Sequence, residues 1–128
     1  MATIDEQVDW WTKQAAHDLE IARSNRRNGF HDGCALMCQQ SAEKYLKALY
    51  LKSRKATAPK THRCDQLAIH LGCPIDVEDA ATLLGSDYME SSYPDAAGGV
   101  PYEQFDDATS QERIKAAEVV EQWVLKQL

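Results

Sequence analysis

Apolar residues recur at three- and four-residue spacing through most of the chain, the period of a helix with one buried face. The pattern is clearest near the N-terminus. There Ile4, Val8, Trp11, Ala15, Leu19 and Ala22 share one stripe, while Asp9, Lys13 and Glu20 lie on the other side. Thr3 with Glu6 three residues later is a capping box, and Asn28-Gly29 supplies two residues that tolerate a left-handed helix end. A second helix is predicted from His31 or Asp32 to about Lys52, with Cys34, Cys38, Ser41, Ala42, Tyr45 and Leu49 on its stripe. Ser53 to Thr61 reads as a basic linker containing Pro59, and a short third helix spans Arg63 to Leu71 before Gly72-Cys73-Pro74. A fourth helix is expected from about Asp76 to Ser91, through Val77, Ala80, Ala81, Leu84 and Tyr88. Gly85 inside it costs roughly 1 kcal/mol relative to alanine, and Pro94 forces Tyr93 out of helical geometry. Asp95 to Ala108 reads as a long Gly/Pro/Asp-rich loop. A fifth helix follows Thr109-Ser110 and carries Ile114, Ala117, Val120, Val124 and Leu128 on one face.

No segment alternates as a strand does. The expected fold is therefore all-α: an up-and-down four-helix bundle with an additional short helix, formed as one domain over residues 1–128. The short Asn-Gly turn makes the first two helices antiparallel neighbours. Trp10 and Trp11 cannot both face the same core. Trp11 fits the stripe, which leaves Trp10 partly exposed or at a contact between two copies.

Composition narrows the class. A chain of 128 residues, 44% hydrophobic and 27% charged, is an ordinary globular domain. No apolar run approaches the ~18 residues needed to cross a bilayer. The acidic start, with Asp5, Glu6 and Asp9 before any basic residue, has the wrong sign for a secretory leader, so a cytoplasmic protein is expected. Cys34, Cys38, Cys64 and Cys73 contain no CxxC pair and read as free thiols. Cys34 and Cys38 fall on the apolar stripe, where a thiol behaves as a small hydrophobe. Neither a metal site nor a cofactor is expected.

The net charge of -6 argues against indiscriminate coating of nucleic acid, yet the charge is segregated. Between Lys44 and Arg63 there are seven basic residues and no acidic one; between Cys64 and Glu112 there are eleven acidic residues and no Lys or Arg. One reading is a solvated surface whose lysines pair with acidic neighbours. The other is a local phosphate-binding patch on an acidic protein.

The second helix carries Gln39-Gln40-Ser41-Ala42-Glu43-Lys44-Tyr45-Leu46-Lys47-Ala48-Leu49, which resembles the signature of the HEPN family of small helical domains. Other pieces agree in order: Trp11, Ala15, Asp18, Leu19 and Ala22; Thr61-His62 with Leu67; Tyr93-Pro94-Asp95; and Ala116-Ala117 with Trp123-Val124. The resemblance covers nearly the whole chain. It implies a four- or five-helix bundle that forms a homodimer and binds a nucleotide or nucleic acid. It also implies a separately encoded minimal nucleotidyltransferase as partner, in the manner of a toxin–antitoxin pair. Some family members are ribonucleases with an Arg-x(4–6)-His motif. That motif is missing from its usual place here, since no His follows His70, and Ser92 stands where the family has the Arg of Arg-Tyr-Pro-Asp. The spacings Arg26–His31 and Arg63–His70 lie elsewhere in the chain.

The leading expectation is thus a non-catalytic binding domain; the alternatives are a ribonuclease toxin and a ligand-free helical interaction module. The candidate ligand-binding residues are Gln40, Lys44, Lys47, His62, Tyr93 and Asp95. Lys44 and Lys47 share a helix face with Gln40 and can offer ammonium and amide donors to phosphate, or can pair with Glu43 and the acidic helix. His62 suits a phosphate contact or plain helix capping. Tyr93 suits base stacking or packing with its hydroxyl satisfied, and Asp95 suits a ligand contact or a cap.

Overall fold

The computed structural model describes residues 1–128 and contains helices and turns but no strand. The helices are α1 (Ile4–Arg27), α2 (His31–Arg54), α3 (Cys64–His70), α4 (Ile75–Gly85), α5 (Asp87–Glu90), α6 (Pro94–Ala97) and α7 (Asp107–Gln127). The all-α bundle expected from the period is the observed fold, and no helix is long and apolar enough to cross a membrane.

Helix α1 keeps half of the expected capping box, because the Glu6 carboxylate takes its hydrogen bond from the Thr3 hydroxyl and not from the Thr3 amide. The Thr3 hydroxyl accepts from the Glu6 amide at 3.1 Å, leaving one fewer orphan donor in the first turn. Gly29, at φ +79°, turns the chain back, and the Phe30 amide donates to the Asn25 carbonyl at 2.8 Å. Pairing across the turn then runs in reverse order. Lys52 meets Asp5, Lys44 meets Asp18, and the Ser41 hydroxyl donates to the Ala15 carbonyl at 2.8 Å. Helices α1 and α2 are therefore antiparallel, and small side chains at Ala15, Ser41 and Ala42 let them approach closely.

Helix α7 closes the bundle against α2, α4 and, more lightly, α1. Its contacts with α2 run in the same chain direction, from His31–Ser110 to Tyr45–Glu121. Those with α1 run oppositely, from Arg23–Glu118 to Arg26–Asp107. The order is up, down, up, down for α1, α2, α4 and α7. The main core gathers Leu19, Cys34, Cys38, Tyr45, Leu46, Leu67, Leu84, Ala117, Val120 and Val124. A smaller cluster of Val8, Ala48 and Leu51 lies at the other end, with Ile4 and Trp11 packed on it. The two tryptophans divide as their register requires: Trp11 packs, and Trp10 is 58% exposed.

Three boundaries differ from the periodic reading. The expected fourth helix is interrupted after Gly85, and α5 is a separate turn. A Cβ at Gly85 would sit 3.0 Å from a carboxylate oxygen of Asp65, so the glycine is there for the approach of α3. The expected loop after Asp95 holds α6, ended by left-handed Gly98, and a 3-10 turn at Pro101–Glu103. Helix α7 begins at Asp107, before Thr109-Ser110. Asp106 is its cap, accepting from the Thr109 amide at 2.9 Å while Thr109 accepts from the Asp106 amide at 2.7 Å. Threonine thus takes the reciprocal capping role usual for glutamate.

The break at Ser86 delivers Asp87 into the core. One carboxylate oxygen accepts from Arg113 Nε at 2.6 Å, and the other has no hydrogen-bond partner. Burial outweighs the pull of Arg113 and pushes the Asp87 carboxyl up to about 6. The folded state then holds a proton that the unfolded chain has released. This contribution is fully present below the unfolded carboxylate range and is lost as pH rises through about 6, on the order of 3 kcal/mol in all. Chemical denaturation of wild type between pH 4 and 7 is expected to show this decline, and Asp87→Asn should flatten it. Parallel stability profiles for the two proteins would contradict the assignment.

Candidate functional site

The face of α2 that carries the basic run is bound together by one continuous polar network. It starts on α1, where Asp18 is nearly fully buried and accepts from Gln14 Nε2 at 2.8 Å. The same carboxylate holds the Lys44 ammonium, which also donates to Gln40 Oε1 at 3.3 Å. Gln40 in turn donates to Gln39 Oε1 at 3.3 Å. Gln39 is the hub: its buried amide donates to Glu43 Oε1 at 3.0 Å and to the His62 carbonyl at 2.8 Å. Glu43 finally grips two candidates at once. Its Oε2 accepts from Lys47 at 3.0 Å, and its Oε1 accepts from His62 Nδ1 at 2.9 Å.

The carboxylate fixes which imidazole nitrogen carries hydrogen. Nδ1 donates to Glu43, so Nε2 is left for solvent or a ligand. The His62 ring stacks on Tyr88 with centroids 3.9 Å apart and planes 6° from parallel. Its side chain is 52% exposed, whereas Glu43 beneath it is 6% exposed. The arrangement presents an oriented imidazole edge beside an ammonium group, both held by one buried carboxylate.

Four of the six candidates, Gln40, Lys44, Lys47 and His62, are therefore brought together. Tyr93 and Asp95 are not part of the network. They sit at the start of α6, both exposed, with no side-chain hydrogen bond to it. The aromatic residue at the site is Tyr88, which the sequence pattern assigned to the apolar stripe. Asp18 and Gln39 are the other residues that this pattern did not single out, whereas Glu43 was read only as a partner for the lysines. Asp18 carried a signal, since it occupies a core register between Ala15 and Ala22.

Charge at the site is balanced. Lys44 is neutralised by Asp18 and Lys47 by Glu43. Along the rest of the basic run Lys52 pairs with Asp5 and Arg63 with Asp65. Arg54 donates to the His70 carbonyl at 2.6 Å and lies 5.9 Å above the Tyr50 ring. Lys55 and Lys60 have no carboxylate partner. The positive patch read from composition is thus largely spent inside the fold.

The Arg–His spacings lead elsewhere. Arg26 is held by both oxygens of Asp107 at 2.9 and 3.2 Å, and His31 Nδ1 meets the Ser110 hydroxyl at 2.7 Å. Arg63 is clamped by Asp65, while His70 is exposed at the end of α3. Cys34, Cys38 and Cys64 are buried, and no cluster of three His, Cys, Asp or Glu side chains is placed to hold a metal ion. The hydrogen bond with Cys34 and burial push the Cys38 thiol up, and burial does the same to Cys64.

The model of the HEPN domain matches residues 8–128. The chain belongs to the HEPN family. Two solved structures share its fold over nearly their whole length. The crystal structure of TT1696 from Thermus thermophilus superposes with a TM-score of 0.87 at 25% identity, covering 95% of this chain and 98% of that one. ST0689, described as an archaeal HEPN homologue, gives 0.81 at 33% identity, covering 94% of this chain and 96% of its own. A comparison with curated proteins returns no match. In this HEPN domain the Gln39–Leu49 signature is the same stretch of α2 that builds the network.

Proposed function

We propose that this HEPN domain is a non-catalytic binding module for a phosphate-bearing ligand, a nucleotide or a nucleic acid, and that it works as a homodimer. Its partner in this reading is a separately encoded minimal nucleotidyltransferase of toxin–antitoxin type. The observation that supports the binding reading is the double grip of Glu43, which holds the half-exposed His62 and the largely buried Lys47 on one carboxylate. Lys47 keeps two ammonium hydrogens for a ligand and His62 keeps Nε2. Because Ser92 stands where the family has an Arg, affinity is weak and strongly salt-dependent.

The test is a titration of wild type and His62→Ala with ATP, GTP and a short RNA at low salt. His62 is half-exposed, so its truncation leaves the core intact. Saturable binding by wild type, reduced in the variant, is the expected result. Equal binding by the two proteins excludes the site, and no binding by either leaves a helical interaction module. Light scattering at tens of micromolar protein should give twice the 14.4 kDa chain mass. A mass of one chain, unchanged on concentration, rejects the homodimer.

A further inference from the structure

A cleft opens beside Lys47, between α1, the C-terminal half of α2 and the segment that follows it. Its apolar wall is Trp11, Leu51 and Ala58, and its polar wall includes Gln7, Lys47 and Lys60. No carboxylate lines it. On a chain of net charge -6 that is a distinguishing property, because four other surface clefts each carry at least one: Asp107, Asp65 with Glu90, Asp76, and Asp5. Lys60 lies among the basic residues that no carboxylate neutralises, so its charge is available to a ligand. Trp11 is half-buried by Val8, Ala48 and Leu51, which immobilises the ring as a wall rather than a tether.

We infer that this cleft binds a planar aromatic ring bearing an anionic group, the chemistry of a nucleoside monophosphate or of one unit of a single strand. The inference rests on the phosphate-ligand reading above and gives it a place for the base. The ring lies against Trp11 and Leu51, and the phosphate meets Lys60 and the free hydrogens of Lys47. A cleft of about 280 Å³ is at the small end for ligand sites, which suits one nucleotide unit and not a stacked run. A ring against an aromatic side chain contributes about 1–3 kcal/mol per base in single-strand binding, or about tenfold in affinity. The anion contact at a solvent-accessible lysine contributes less, about threefold.

Trp11 is the reporter once the other tryptophans are removed. In a Trp10→Phe/Trp123→Phe background at an ionic strength of about 0.01 M, fluorescence is followed on adding AMP, adenosine, inorganic phosphate or an oligoadenylate. AMP should change Trp11 emission saturably, about tenfold more tightly than phosphate. Lys60→Ala, at an exposed position, should weaken AMP about threefold. Competition by the oligoadenylate at equal unit concentration identifies a strand as the ligand, and its failure to compete identifies the free mononucleotide. Phosphate acting as well as AMP, or Lys60→Ala leaving AMP unchanged, overturns the cleft assignment. If ATP, GTP or RNA binds in the His62 titration while Trp11 stays silent toward AMP and oligoadenylate, the cleft is wrong and the proposed function stands. Absence of binding in both experiments overturns both.

Discussion

Lys44→Ala should destabilise the domain by about 3–5 kcal/mol, the cost of stranding one member of a buried ion pair. The Asp18 side chain is 3% exposed and that of Lys44 is 21% exposed, so water cannot readily replace the missing ammonium. Gln14 alone would remain on the carboxylate. The pair need not be a net source of stability, because removing both charges removes the desolvation cost as well. Asp18→Leu with Lys44→Met should therefore recover most of the loss. Urea denaturation of the three proteins checks this. A loss below about 1 kcal/mol in Lys44→Ala would mean that the pair is as weak as an exposed one. The double variant also separates folding from binding, since it keeps the bundle while deleting a candidate ligand contact.

Tyr45→Ala is the second large effect, expected at about 3–5 kcal/mol, as for other buried aromatic truncations. The ring is 2% exposed at the centre of α2, and its hydroxyl donates to Glu121 Oε2 on α7 at 2.6 Å. Tyr45→Phe isolates the hydroxyl. Hydrogen bonds to charged groups contribute about 1.5–3 kcal/mol, and Glu121 is half-exposed and can turn to water, so the loss should lie near the lower figure. Thermal or urea unfolding of both variants reads the split. Equal losses would assign the whole contribution to the hydroxyl, which the burial of the ring contradicts.

The helical period revealed the bundle because α1, α2 and α7 each bury one stripe over many turns. It misjudged the stretch after Gly85, where the chain is set by single contacts and not by repetition. Asp65 reaching Gly85 and Arg113 reaching Asp87 are pairings between distant residues, with no periodic trace. The same distinction holds at the site. Lys44, Lys47 and Gln40 were legible because they share a helix face. Their carboxylate partners were only half legible: Glu43 is one turn from Lys47, but Asp18 lies on another helix. Tyr88 was hidden for a different reason. An aromatic at a core register reads as packing, and only the path of α5 shows that it lies against an imidazole.

Gln39 has one amide nitrogen and spends it both on Glu43 and on the His62 carbonyl. A core helix is thereby fastened to the chain that follows it by the group that orients the surface residues. Whatever draws Lys47 or His62 away from Glu43 changes what Gln39 must satisfy, and the pull reaches the backbone of the connection between α2 and α3. Under the proposed function, reciprocity would apply: a protein gripping this connection would alter ligand affinity by the factor with which the ligand altered its grip. The segment from Lys55 to Arg63 would in that sense be a handle, tied to the site through the His62 carbonyl.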